Sequence, residues 1–169
     1  MVIDDNTPVD IRFISPDHTI ALRHTILWPN APLAHVRPPE DDGGFHFGAF
    51  LDEESAPTAV ISLFKENVPS LEENSGADES AIRIRKLACD NSYQGRGIGT
   101  ALLEHSIQYA WSKLDARFVW YDVRVTALDW YSKRGLVPFG AEFWKDEVKY
   151  VRMKIEREIP SPWYWRSAR

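Results

Sequence analysis

The stretch Tyr93-Gln94-Gly95-Arg96-Gly97-Ile98-Gly99-Thr100-Ala101-Leu102-Leu103 constrains this chain more than any other part of it. Three glycines and an arginine stand directly before an apolar pattern of helical spacing, and a β-type run over 80–89 precedes them. A strand, a glycine turn and a helix in that order make an anion site. The N–H groups of the turn and of the first helical residues point one way, and the helix dipole favours negative charge there. Glycine lets the backbone come close to the anion. A phosphate-bearing ligand is therefore expected.

The 169 residues are expected to form one domain, with a core over about 10–155 and an aromatic tail over 157–169. With 44% hydrophobic and 12% aromatic residues the chain can bury a real core. A formal net charge of −5 argues against nucleic acid as the main partner. Basic residues instead cluster locally at Arg83, Arg85, Lys86 and Arg96. The lone Cys89 cannot form an internal disulfide and suits a reducing compartment. No apolar run reaches membrane-spanning length, and the first residues carry acids where a secretory signal would carry bases. A cytoplasmic protein is expected, a nuclear one also fits, and nothing points to a metal or a membrane.

Along the chain, 10–14 reads as a strand. Ser15-Pro16-Asp17 then supplies an N-cap, a first-turn proline and a first-turn acid for a helix running to about Leu27. Residues 29–44 read as a Pro-rich, acidic loop, 45–51 and 59–64 as a hairpin, and 66–79 as a polar surface loop. In the run 80–89, Ile82 and Ile84 share one parity while Leu87 and Cys89 share the other. A β-bulge near Arg85-Lys86 would reconcile the halves; a strand that is merely short, or buried on both faces, would also do so. Helix to about Ser112, buried strand over 117–123, helix capped by Thr126 and stopped at Gly135, and a last hairpin over 136–155 complete the order. The strand–helix–strand unit implies a parallel pair with a right-handed crossover. Trp163, Tyr164 and Trp165 in the tail could pack on the body or on a second subunit, which admits a homodimer.

These residues resemble the GNAT acetyltransferase superfamily. Gln94-Gly95-Arg96-Gly97-Ile98-Gly99 matches its Gln/Arg-x-x-Gly-x-Gly/Ala signature, and Ala127-Leu128-Asp129-Trp130-Tyr131-Ser132-Lys133-Arg134-Gly135-Leu136 is similar to its second block. The order of elements matches too, over most of the chain. The resemblance implies an α/β (α+β) fold with a mixed, mostly antiparallel central sheet, a splayed parallel pair and flanking helices. It implies acetyl-CoA as co-substrate and acetyl transfer to a primary amine by direct attack in a ternary complex. Backbone groups of Gln94, Gly95, Arg96, Gly97, Ile98, Gly99 and Thr100 would hold the pyrophosphate. Leu87 and Cys89 would offer main-chain groups to the pantetheine arm. The family's asparagine ahead of the second block is replaced by Asp122 or Arg124, depending on alignment, and Trp130 stands where Phe or Leu is usual.

Acetyl transfer needs an N–H donor for the thioester oxygen, a neutral amine, and a proton for the leaving thiolate. The backbone N–H of Leu87 or Ala88, freed by the bulge, is expected to be the donor. Tyr131, by its place in the second block, is expected to be the acid. The general base is not legible: Glu66, His46, Glu142 and relayed water are equal contenders. The acceptor should lie near Arg23, Trp28, His35, Arg37 and Phe143, with Asp41 and Asp42 able to attract an amine; it could be a small molecule or a peptide. Cys89 has no paired histidine in sequence and reads as a small strand residue. The glycine spacing does not fit a dinucleotide fold, and no Gly-Lys-Ser/Thr follows it as a nucleotide hydrolase requires. A non-catalytic acetyl-CoA-binding regulatory module is the remaining alternative.

Overall fold

Two half-strands of opposite parity set the architecture. The computed structural model describes residues 8–52, 56–69 and 80–158, and the sheet that runs through them has the strand order Asp10–Phe13, Phe45–Phe50, Ala59–Lys65, Ala81–Cys89, Phe118–Arg124, Val148–Glu156, Val137–Pro138, with Phe143–Lys145 also paired to Val148–Glu156. β1 (Asp10–Phe13), β2 (Phe45–Phe50), β3 (Ala59–Lys65) and β4 (Ala81–Cys89) form an antiparallel meander. Of the alternatives for β4, the bulge is the one present: Val60 faces Ala88 but Ser62 faces Arg85, so Ile61 is opposed by both Lys86 and Leu87. Lys86 takes φ +60°, uncommon for a non-glycine residue. The extra residue returns Leu87 and Cys89 to the face already occupied by Ile82 and Ile84, where all four join one core. Ala88 packs on the opposite face with Leu22 and Val60.

β4 and β5 (Phe118–Arg124) are the parallel pair, but they are in register only from Ala81–Phe118 to Arg83–Trp120. Beyond that point the two strands continue without pairing to each other, and the sheet opens between them. The connection between them is α3 (Ile98–Lys113), whose Ile98, Leu102, Leu103 and Ile107 are buried in the core against Ile61, Leu63 and Ile84. β8 (Val148–Glu156) pairs antiparallel with the whole of β5 and covers its outer edge.

Local details depart from the sequence reading. The first helix changes pitch, from a 3-10 turn (Pro16–Thr19) through α1 (Ile20–Leu22) to a π-type turn (Arg23–Leu27). Ser15 makes no side-chain cap; its hydroxyl meets His18 Nδ1 at 3.0 Å instead. The expected loop over 29–44 contains α2 (Leu33–Val36) and a 3-10 turn (Pro39–Gly43). Thr126 lies inside a 3-10 turn (Val125–Ala127) that leads into α4 (Leu128–Ser132), and it caps nothing. Gly135 does end that segment, at φ +94°. The last hairpin has a broken first arm, β6 (Val137–Pro138) and β7 (Phe143–Lys145), because Gly140 turns the chain between them at φ +74°. Trp163, Tyr164 and Trp165 of the tail and most of the 66–79 loop lie outside the described residues. No helix of the described residues is long and apolar enough to cross a membrane.

Candidate active site

The glycine turn is built by its neighbours before it binds anything. Asp90 accepts from Ser92 N at 2.8 Å and starts a 3-10 turn, Asn91–Tyr93. Gln94 Nε2 donates to Cys89 O and to Asn91 Oδ1, both at 3.0 Å, tying the turn to the end of β4. Gly95 and Gly97 then adopt φ +78° and +85°, which allows the chain to enter α3 with its N-terminal amides turned outward. Gly97→Ala is expected to destabilise the fold by about 1–2 kcal/mol, since Gly97 is the left-handed N-cap of α3. Urea denaturation checks this, and an unchanged midpoint would show that the turn relaxes freely.

A cavity of about 900 Å³ opens on this turn. Leu87, Ala88, Cys89, Gln94, Gly95, Gly97, Ile98, Gly99, Thr100 and Tyr131 all line it. Of the sequence-predicted residues only Arg96 does not; its guanidinium lies 5.4 Å from the Tyr93 ring centre. The cation that does line the cavity is Arg134, which the sequence reading passed over. It donates to Thr100 Oγ1 at 2.9 Å and to Trp130 O at 2.7 Å, and stacks on the Trp130 ring at 3.6 Å. A Cβ on Gly99 would meet that same ring at 3.7 Å.

A second cavity of about 320 Å³ occupies the opening between β4 and β5. It shares Ile26, Leu87, Ala127 and Tyr131 with the first, so these residues form the junction. At that junction the expected N–H donor is partly corrected. Leu87 N–H is not free: it donates to the Tyr121 hydroxyl at 3.2 Å. Alternation along the strand turns the Ala88 amide the other way, toward β3, where Ala88 is in register with Val60. Tyr121 is the junction residue that sequence reasoning missed, because within a buried apolar strand a tyrosine gives no signal beyond its need for a hydroxyl partner. Its ring meets Tyr131 edge-on at 5.3 Å. Burial, and then the Tyr121 hydroxyl, push the Tyr131 phenol well above its ordinary value.

The side-chain contenders for general base are all engaged. His46 is buried between Ser62 Oγ at 2.7 Å and Asp41 O at 2.8 Å, and burial lowers its pKa, which favours the neutral ring. Glu66 pairs with Arg83 at 2.9 Å, and Glu142 pairs with Lys149. Asp41 and Asp42 do not await an amine: Asp41 is buried against Arg23 and Lys86, and Asp42 accepts from Arg37 at 2.8 Å. Arg23 itself is fully buried and cannot touch an acceptor, whereas Trp28 lines the smaller cavity. Asp122 and Arg124 both line the smaller cavity and neither reaches the larger one. Burial pushes the Cys89 thiol up, and it donates weakly to Asp90 O at 3.6 Å.

A meander with one bulged strand, a parallel pair that opens, and a glycine turn at the mouth of the opening define the scaffold of an acyl-transfer enzyme. The sequence profile of the Acetyltransferase (GNAT) family matches residues 14–136. The uncharacterised N-acetyltransferase YitI of Bacillus subtilis is 27% identical over 137 residues, covering 80% of this chain and 87% of its own. Among solved structures, Escherichia coli ElaA superposes with a TM-score of 0.68 at 13% identity, over 88% of this chain and 100% of its own. A chain of the NatC complex bound to Gag peptide and CoA superposes with a TM-score of 0.66 at 15% identity, over 89% of this chain and 99% of its own. The chain belongs to the GNAT acetyltransferase family, and it is an acyl-CoA-dependent N-acyltransferase.

Proposed function

We propose that this enzyme transfers an acetyl group from acetyl-CoA to a primary amine by direct attack within a ternary complex. One observation carries the reading: Leu87 and Tyr131 line both cavities, so a donor in one and an acceptor in the other meet at the same two residues. Acetyl-CoA supplies an activated carbonyl and a thiolate leaving group. The amides of 94–100, with Arg134, suit its pyrophosphate in charge and in close backbone approach. Leu87 N–H points into the junction and is the donor for the acyl oxygen, with Tyr121 holding it in place beforehand. Tyr131 holds a proton for the departing sulfur. A phenol raised above its ordinary value stays protonated throughout neutral pH, so that proton is always available. The single cysteine is held as a thiol by burial, which favours direct attack over a covalent acyl-enzyme. A cytoplasmic setting and a one-domain chain belong to the same reading.

Calorimetry with CoA, joined to a thiol-release assay over a panel of amines, tests it. Stoichiometric CoA binding and acceptor-dependent thiol release are expected. Binding with no release for any amine would favour a coenzyme sensor instead, and no binding would remove the proposal.

A further inference from the structure

The chain has a formal charge of −5, yet the cavity between β4 and β5 is strongly cationic. Arg83, Arg85, Lys86, Arg124 and Lys145 line it against one carboxylate, Asp122. That carboxylate is already saturated. It accepts from Arg152 at 2.7 Å, from Arg83 at 3.0 Å and from Lys145 at 3.5 Å. Glu66 is taken by Arg83, and Lys86 by the buried Asp41 at 3.3 Å. Arg85 and Arg124 remain. Among the described residues neither has a hydrogen-bond or ion-pair partner, and they stand on the two strands that part.

Arg85 is held under electrostatic stress. Burial and then the neighbouring Arg83 both act against its charge; of the acids that act for it, Glu66 and Asp41 are already paired, and Glu40 makes no ion pair with it. A half-buried guanidinium with no carboxylate in direct contact is a group that an incoming anion would relieve. Arg124, at the exposed end of β5, also acts on the Tyr121 phenol, so its field reaches the junction. An amine whose nitrogen lies at Leu87 and Tyr131 therefore leaves the rest of its body among unpaired cations. A polyamine would be repelled there. A molecule with a carboxylate beyond its amine would instead meet two guanidinium forks suited to that group. The same field disfavours an ammonium ion and favours the neutral, attacking amine, which lessens the demand on a dedicated base.

Resting on the acyl-transfer reading above, we infer that the acceptor is a primary amine that also carries a carboxylate, and that Arg85 and Arg124 hold that carboxylate in the cavity between β4 and β5. Thiol release from acetyl-CoA tests it with matched pairs: β-alanine against ethylamine, γ-aminobutyrate against propylamine, phenylalanine against phenethylamine, lysine against cadaverine. Phosphoethanolamine against ethanolamine is a further arm. At least one carboxylate-bearing member is expected to exceed its partner in kcat/KM by roughly tenfold or more. In Arg85→Gln and Arg124→Gln that ratio is expected to collapse, chiefly through KM, while the Kd of CoA measured by calorimetry stays within about threefold of wild type. Equal use of both members, a preference for phosphoethanolamine, or a ratio that survives both substitutions overturns the inference. So does intact CoA binding with turnover of no member. Loss of CoA binding in the wild-type protein would instead strike the acyl-transfer reading itself.

Discussion

Asp41→Ala is expected to remove about 3–5 kcal/mol of folding stability, a large part of what a domain of this size possesses. The carboxylate is fully buried, and so is its partner Arg23. Asp41 is bound by both terminal nitrogens of Arg23 and by Lys86 Nζ. Arg23 also donates to Ser62 Oγ at 2.7 Å and to Val36 O at 3.1 Å. His46 shares Ser62 and completes the network. Without Asp41, two cations stay buried with no counter-charge. The network lies under the bulge, where Lys86 holds its positive φ, so the loss should reach the site as well. Urea unfolding measures the effect, and a midpoint shift equivalent to less than about 1 kcal/mol would mean that water enters and solvates the pair.

The same residue gives the acid side of the stability profile. Burial acts to raise the Asp41 pKa, but the hydrogen bonds and charge of Arg23, and then of Lys86, outweigh it and hold the carboxyl below its ordinary value. A carboxyl lowered in the folded state contributes stability that is fully present above its unfolded pKa of about 3.9 and is lost as pH falls through the folded value. Asp122, held down in the same way against burial by Arg152, Arg83 and Lys145, adds to that loss. Lys86 works in the alkaline range. Burial and Arg23 push it down to about 8, so stability from this group rises between about pH 8 and its unfolded value near 10.4.

Tyr131→Phe is expected to lower kcat by about 100-fold while leaving CoA affinity within about threefold. The ring would still fill its buried place against Trp130, at 4.8 Å between centroids, and against Tyr121. Only the hydroxyl is removed. A purely structural tyrosine would show the opposite result, with stability changed and turnover kept. The pH–rate profile offers an independent check. Because the phenol titrates well above its ordinary value, no alkaline decline below about pH 10 should belong to it. An alkaline limb near neutrality that disappears in Tyr131→Phe would remove Tyr131 as the acid.

Much of the scaffold was legible because its signals are short. A period-2 pattern that slips by one residue between Ile84 and Leu87 fits either an inserted residue or a strand that is short or buried on both faces, and the structure has the inserted residue. Glycines ahead of a helical pattern imply an amide cradle, and all the predicted cradle residues except Arg96 line the larger cavity. Where local signals competed, the reading went astray. Ser15 and Thr126 are good capping residues by type, but neither caps a helix in the structure. Asp41 and Asp42 read as bait for an amine because an acidic residue in a Pro-rich loop is usually solvated, whereas tertiary contacts buried the first of them.

By itself the sequence determined the order of the main strands and of the crossover helix, the glycine turn, the displaced parity of β4 and the place of Tyr131 in its helix. Each of these is written within about ten neighbouring residues, where backbone geometry alone couples the positions. Tertiary structure alone decided that Leu87 N–H meets Tyr121, 34 residues away, that Asp41 neutralises Lys86, 45 residues away, and that unpaired arginines from two parting strands face one cavity. Those pairings depend on how far β4 and β5 stay in register before they separate, and no local pattern in a chain records a distance between strands.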